Sequence, residues 1–378
     1  MPFHLSNRAL LIIAIVLANA LLSSLSIYLD PVINNDGITY LSMAELYLGG
    51  NWETAKSYYS WPFYPLLVAG LSQLLSLEVV VSAHILNTLL ATSLCLAFIA
   101  IVGELSDNDI TTLLIAAFVI LLFPSITKYR AYIIRDFGYL SFYLWSLFFI
   151  FRFCKSSNKN DLIGWFFSSA ASCIFRFEGI ILILVVPYFL FVFSNTGLRH
   201  KRKIIAALTL SIITICASVV FFYLQDKYDA KVQLAQLAGQ DIDSVFDLFI
   251  HNIRNQSEYS SDNIFSYISP AFDNTINILN DIIRRMAGIY FLVCIAAYLG
   301  ALAFQRPLRK RIWIVYIVTN LSLLLAFSLA NNITVSRYTL ATCLTLLPLA
   351  PIALSHWLKN LKQYRQWQKV TFLSLIHI

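Results

Sequence analysis

The residues of this chain best equipped for chemistry are a few carboxylates and arginines set just beyond long apolar runs. Asp36 comes first, in Asn34-Asn35-Asp36-Gly37-Ile38-Thr39-Tyr40, shortly after the apolar run Ala9–Leu29. A carboxylate there can accept a proton from a hydroxyl, or it can cap the helix that begins near Gly37. Between Lys128 and Gly138 lie Lys128, Tyr129, Arg130, Tyr132, Arg135 and Asp136, a density of cations and phenols beyond what a connector needs. Interfacial anchoring is the plain alternative for that segment, with Arg135 the neighbouring cation for Asp136. Arg176 with Glu178, and Arg337 with Tyr338, complete the set, and for them the ordinary roles are snorkelling or a local ion pair. Arginine's planar fork grips phosphate oxygens two at a time, so several arginines facing a carboxylate suit an anionic ligand.

These residues need a scaffold, and the composition says which kind. Hydrophobic residues make up 59% of the 378 and charged ones only 12%, with a mean hydropathy of +0.72. A soluble domain is less apolar and about twice as charged. The formal net charge of +7 is dispersed in small clusters between apolar runs and forms no continuous basic face, which speaks against nucleic acid. The six cysteines, Cys95, Cys154, Cys173, Cys216, Cys294 and Cys343, sit in or beside apolar runs without metal-ligand spacing, as small packing residues do.

Runs long enough to span a bilayer cover Ala9–Leu29, Val79–Val102, Ile110–Ile126, Phe137–Phe153, Ile204–Leu224, Ala287–Phe304, Ile312–Ala330 and Tyr338–Leu354. The first exceeds a signal-peptide core and reads as an uncleaved anchor. Leu162–Ser194 is too long for one crossing and is interrupted by Arg176-Phe177-Glu178-Gly179, so it reads as a two-helix hairpin with those charges at its tip. Trp61–Leu77 either spans or lies in the interface. Placing it in the interface, with the N-terminus inside, puts most Lys and Arg on the cytoplasmic side: Arg8, Arg152–Lys159, Arg199–Lys203, Arg306–Arg311 and Lys359–Lys369. A spanning Trp61–Leu77 would reverse that bias, so the positive-inside rule favours the interfacial reading, about ten crossings and both ends cytoplasmic. All the chemistry-bearing residues then share the outer face. A first outer loop, residues 30–78, and a large polar loop, 225–286, with an Asn255-Gln256-Ser257 sequon, lie on that side as well. No separate soluble domain interrupts the single membrane domain, 1–378.

With those segments in order, the chain resembles the GT-C superfamily of polyprenyl-phosphate-sugar-dependent glycosyltransferases. It is most similar to the group of protein O-mannosyltransferases, lipid A aminoarabinose transferases and lipopolysaccharide-core sugar transferases. The likeness runs through Asp36-Gly37-Ile38-Thr39-Tyr40-Leu41-Ser42-Met43-Ala44, the turn Gly49-Gly50-Asn51-Trp52, and Pro62-Phe63-Tyr64-Pro65 at the head of a juxtamembrane helix. It continues through Val102-Gly103-Glu104-Leu105, the outer segment ending at Asp136, Phe175–Gly179 and Ser336-Arg337-Tyr338. Many relatives carry a second acidic residue where this chain has Gly37, and His84 stands near a position where relatives often carry Arg.

The resemblance implies an all-α polytopic fold, a GT-C-type bundle with juxtamembrane helices in the first outer loop. It implies a bacterial cytoplasmic membrane, a site facing the periplasm, and a role in building cell-envelope glycans. The reaction would be an inverting transfer of a sugar from a polyprenyl-phosphate carrier to a hydroxyl of a glycan, lipid or protein acceptor. Asp36 and Asp136 are its catalytic candidates, and Tyr40, Tyr64, Arg130, Arg135, Arg176, Arg337 and Tyr338 its substrate-binding ones. Relatives differ in using a divalent metal or none, so that question stays open. Two other readings share some of these features: an O-antigen polymerase or ligase, whose large outer loop should carry catalytic Arg and His, and a transporter of lipid-linked glycans, which needs polar residues deep within its spans.

Overall fold

The computed structural model describes residues 7–59, 61–193, 265–286, 307–331 and 336–361, together with a few isolated positions. Every element among them is helical. In chain order these are α1 (Asn7–Leu29), α2 (Asn35–Leu48), α3 (Trp52–Tyr58), α4 (Phe63–Leu75), α5 (Val79–Leu105), α6 (Ile110–Leu121) and α7 (Pro124–Tyr129). There follow α8 (Asp136–Ser156), α9 (Lys159–Phe175), a 3₁₀ turn (Phe177–Gly179) and α10 (Ile180–Phe193). The later part contains α11 (Phe265–Arg285), α12 (Pro307–Asn331), a second 3₁₀ turn (Ser336–Thr339), α13 (Leu340–Leu346) and α14 (Leu349–Leu361).

Five segments are long and apolar enough to cross a membrane: Asn7–Leu29, Val79–Leu105, Asp136–Ser156, Leu308–Ser328 and Arg337–Lys359. The chain is therefore an integral membrane protein by the length and composition of its helices. Shorter apolar helices, Phe63–Leu75, Ile110–Leu121 and Ile180–Phe193, accompany them. The expected crossings Ile204–Leu224 and Ala287–Phe304 lie almost wholly outside the described residues, as do positions 225–264 with the sequon. The outward faces are apolar where lipid would touch them: Leu17, Leu21 and Leu25 on α1, Leu114 and Phe118 on α6.

The spine is α5 against α8. The two run parallel, since Ser141 early in α8 donates to Ser93 midway along α5 at 2.7 Å, and Lys155 late in α8 pairs with Glu104 late in α5 at 3.4 Å. Without a hydrophobic drive between helices in lipid, close approach depends on small residues. At the contact, α5 supplies Ser93 and α8 supplies Ser141. A Cβ on Gly138 would lie 2.2 Å from the Phe175 ring, so only glycine lets α8 and the end of α9 meet. Inside the bundle, Asn320 donates to Tyr143 Oη at 2.6 Å, and that hydroxyl shares a 2.6 Å hydrogen bond with Thr345. These bonds join α8, α12 and α13 where unpaired polar groups would be costly.

The bundle has two charged ends. At one, Arg309 binds Glu104 and reaches the Phe151 carbonyl at 3.3 Å, Arg152 pairs with Asp161 at 3.2 Å, and Lys359 with Asp109 at 2.9 Å. At the other are Asp36, Asp136, Arg176 and Arg337. α5, with 27 residues, is about 40 Å long, more than a hydrocarbon core of about 30 Å. α4 runs back along the first part of α5. Tyr64, near its start, bonds Asn87 on α5 at 2.7 Å, and Ser72, near its end, bonds the Leu77 carbonyl at 2.6 Å. Thirteen residues beside the first turns of α5 keep α4 at one end of the bundle.

α11 holds a pattern not read from the sequence. Residues 265–285, expected as the tail of a polar loop, form an amphipathic helix with Ile276, Leu279 and Ile283 along one stripe. Ile278 and Ile282 are buried.

Candidate functional site

Four segments distant in sequence converge at the end bearing Asp36. α2 is held by Asn34, whose side chain accepts from Ile133 N at 2.9 Å and donates to the Ile133 carbonyl at 3.3 Å. Asn34 is also the N-cap residue of α2, yet its side chain makes no cap bond and is spent on the 130s segment instead. Asp36 sits in the first turn of α2, one residue inside the helix, with its carboxylate on Arg337. The capping role open to Asp36 is thus not the one it fills, although its charge still suits the helix N-terminus. Gly37 explains the tight junction. A Cβ there would meet Asn34 Oδ1 at 2.9 Å, Ile33 Cγ2 at 3.0 Å and Ile133 Cβ at 3.1 Å.

Asp136 opens α8, and its side chain is only 6% exposed. The sequence offered Arg135 as its partner, but the cation that binds it is Arg176, from the end of α9, at 2.6 Å. Consecutive residues at a helix start point in different directions, so a neighbour in sequence is a poor partner in space. Arg176 also binds Glu178, through Nη2 and, at 3.3 Å, through Nε, and its guanidinium lies 3.8 Å from the centre of the Tyr338 ring. Arg337 Nη1 touches Asp36 and lies 4.0 Å from Asp136 Oδ2. The result is one chain of alternating charge: Asp36, Arg337, Asp136, Arg176, Glu178. Burial alone would raise the Glu178 carboxyl, but the Arg176 charge and hydrogen bonds outweigh it and hold it at about 2.

Arg135 stands beside this chain and makes no ion pair among the described residues. Its guanidinium lies 5.0 Å from the centre of the Tyr59 ring, which meets Tyr40 edge-on at 6.2 Å. Burial pushes the Tyr40 phenol above its ordinary value, with Arg135 partly offsetting, so Tyr40 stays neutral and available as a hydrogen-bond donor.

Two expected binding residues are elsewhere. Tyr64 is fully buried; its hydroxyl donates to Asn87 Oδ1 while Asn87 Nδ2 donates to the Tyr132 carbonyl at 2.7 Å. It is a strut joining α4, α5 and the 130s segment, behind Tyr40 at 5.1 Å. Arg130 turns inward, 2% exposed, to bind Asn19 and Ser23 of α1 and the Leu121 carbonyl of α6 at 3.0 Å. The carbonyl end of α6 carries partial negative charge, which accounts for a buried cation without a carboxylate. Both leave the binding set on this geometry.

Other members escaped the sequence reading. Tyr139 lies one turn after Asp136, with Arg176 5.6 Å from its ring centre, and the i,i+3 spacing was the available signal. Tyr59 lay in the aromatic run Tyr58-Tyr59-Ser60-Trp61. Asp281 of α11 accepts from Thr339 at 2.6 Å and from Arg285 at 2.8 Å, tying α11 to the 3₁₀ turn that carries Arg337. Its signal was the amphipathic spacing of α11.

Among the described residues no three His, Cys, Asp or Glu side chains gather as metal ligands, and Asp36, Asp136 and Glu178 each already face an arginine. No protein-family model matches the chain, and no curated protein matches it in sequence.

Proposed function

We propose that the chain is a membrane glycosyltransferase that moves a sugar from a polyprenyl-phosphate carrier to an acceptor hydroxyl. On this reading it works in a bacterial cytoplasmic membrane with the Asp36 end facing the periplasm. The observation that carries the reading is the convergence of Asp36, Asp136, Arg176 and Arg337 at one end of the bundle, beside Arg135. The resemblance seen in the sequence supports it, residue by residue, at Asp36, Asp136, Arg176 and Arg337.

Asp36 is the base: its side chain is 34% exposed, whereas Asp136 is enclosed and committed to Arg176. As the acceptor oxygen attacks the anomeric carbon, Asp36 takes its proton. The bond from that carbon to the phosphate oxygen breaks, and its electron pair stays on the phosphate. The departing group is already acidic, so it needs cations more than a proton donor, and Arg135 and Arg337 are placed to supply them. Asp136 orients Arg176 and, across 4.0 Å, draws on Arg337.

The test is transfer of labelled sugar from polyprenyl-phosphate donors by the purified protein, with the parent chain and Asp36→Asn compared at equal folded yield. Asn keeps the size and caps helices as well as Asp. Transfer by the parent, reduced by ~10²-fold or more in the variant, is the expected result. Absence of transfer across a panel of donors and acceptors, or a variant as active as the parent, would remove the proposal.

A further inference from the structure

In a glycosyltransferase, the reading on which this inference rests, the contact between Arg337 and Asp36 sets a condition on the reaction. Asp36, the proton acceptor, is ion-paired to Arg337, one of the cations nearest the place where phosphate must sit. The Asp36 oxygen that meets Arg337 is engaged while that contact lasts and is not free to accept from an acceptor hydroxyl. In an inverting displacement the acceptor enters on one face of the anomeric carbon and the phosphate leaves from the other. One guanidinium in contact with Asp36 therefore does not also grip the leaving phosphate.

We infer that Arg337 exchanges partners, holding Asp36 in the resting protein and the carrier phosphate once donor is bound. The charge balance favours this direction. The donor is a phosphodiester with one negative charge, and the released carrier is a monoester with up to two. The acceptor proton neutralises Asp36 as the electron pair of the broken bond passes to phosphate. One negative charge thus moves from the carboxylate to the carrier, and Arg337 moves with it. Asp136 provides the pivot: at 4.0 Å it attracts Arg337 in either position without engaging it, because Arg176 occupies its other oxygen at 2.6 Å. Asp36 is released to the acceptor hydroxyl only when donor occupies the site, which keeps it from acting before a donor is in place.

The experiment reads Asp36 directly. The full chain in detergent is treated with a water-soluble carbodiimide and an amine, with and without polyprenyl phosphate, and labelling of Asp36 is measured by peptide mass spectrometry. Exposed Asp30 serves as the reference. The carrier without sugar is used because it draws Arg337 away without covering the space in front of Asp36. Binding is followed separately by thermal shift. The expected result is a threefold or greater rise in Asp36 labelling on binding. Arg337→Gln should label at the high rate without ligand and not respond; Arg337→Lys replaces it if the Gln variant does not fold, with a weaker response expected. Binding with unchanged or lower Asp36 labelling overturns the exchange and leaves the transferase reading standing. No binding of the carrier at all overturns both.

Discussion

Arg176 lies with its guanidinium 3.8 Å from the centre of the Tyr338 ring, so the tip of the α9–α10 hairpin is seated on the segment that carries Arg337. A cation over an aromatic face is worth roughly 0.5–2 kcal/mol, the upper figure applying where water is excluded. Tyr338→Phe keeps the ring and should leave thermal stability near the parent's. Tyr338→Leu should lower the unfolding midpoint measurably in detergent. Equal midpoints for the two variants would mean that the stacking contributes nothing.

Arg135 differs from its neighbours in making no ion pair among the described residues, and on the proposed function it holds the donor phosphate. Arg135→Ala should raise the apparent KM for the polyprenyl-phosphate sugar and lower kcat, because a contact to the leaving oxygen strengthens as the bond breaks. Arg135→Lys should restore only part of the loss, a point charge replacing a fork. Steady-state kinetics at varied donor concentration check this, and a fully active Arg135→Ala protein would assign the residue to its stack on Tyr59 alone.

Tyr64 should behave in the opposite way. Removing its hydroxyl strands the Asn87 carbonyl oxygen in a buried place, at a cost of ~1–3 kcal/mol. Tyr64→Phe is therefore expected to unfold at lower temperature while keeping donor KM within about twofold. Parental stability with a raised KM would return Tyr64 to the binding site.

The placement of α4 beside the first part of α5, without a crossing of its own, is testable by labelling. With native cysteines replaced, single cysteines at Ser57 and Asp107, both exposed, should react with impermeant reagents from opposite sides of the membrane. Reaction of both from the same side would mean that α4 crosses.

Much of this architecture can be read from apolar length and charge spacing, and the rest depends on direction around a helix axis. A charge beside an apolar run must sit near one end of a bundle, which is why Asp36, Asp136, Arg176 and Arg337 could be grouped from the sequence. Which partner each one faces is set by rotation of the helix. The same reasoning that grouped Arg176 with the site also grouped Arg130, although Arg130 points down between α1 and α6 toward Asn19. Tyr64 was legible as a motif residue but not as a buried strut, because its partner Asn87 lies inside an apolar run where a polar residue looks incidental. α11 was hidden by composition, its polar face outweighing its stripe.

Gly37 restricts what this site can become. An aspartate there, reachable from glycine by a single base change, would place a second carboxylate next to Asp36 and bring the chain closer to an acidic pair able to hold a cation. Its Cβ would arrive within 3.1 Å of both Ile33 and Ile133 and within 2.9 Å of Asn34, the residue that clamps the two segments together. Such a change has to be accompanied by a shift of the Ile133 backbone or a looser Asn34 clamp, each of which weakens the junction before any benefit appears. The descendants of this sequence most accessible by mutation therefore keep Asp36 as the single carboxylate in the first turn of α2.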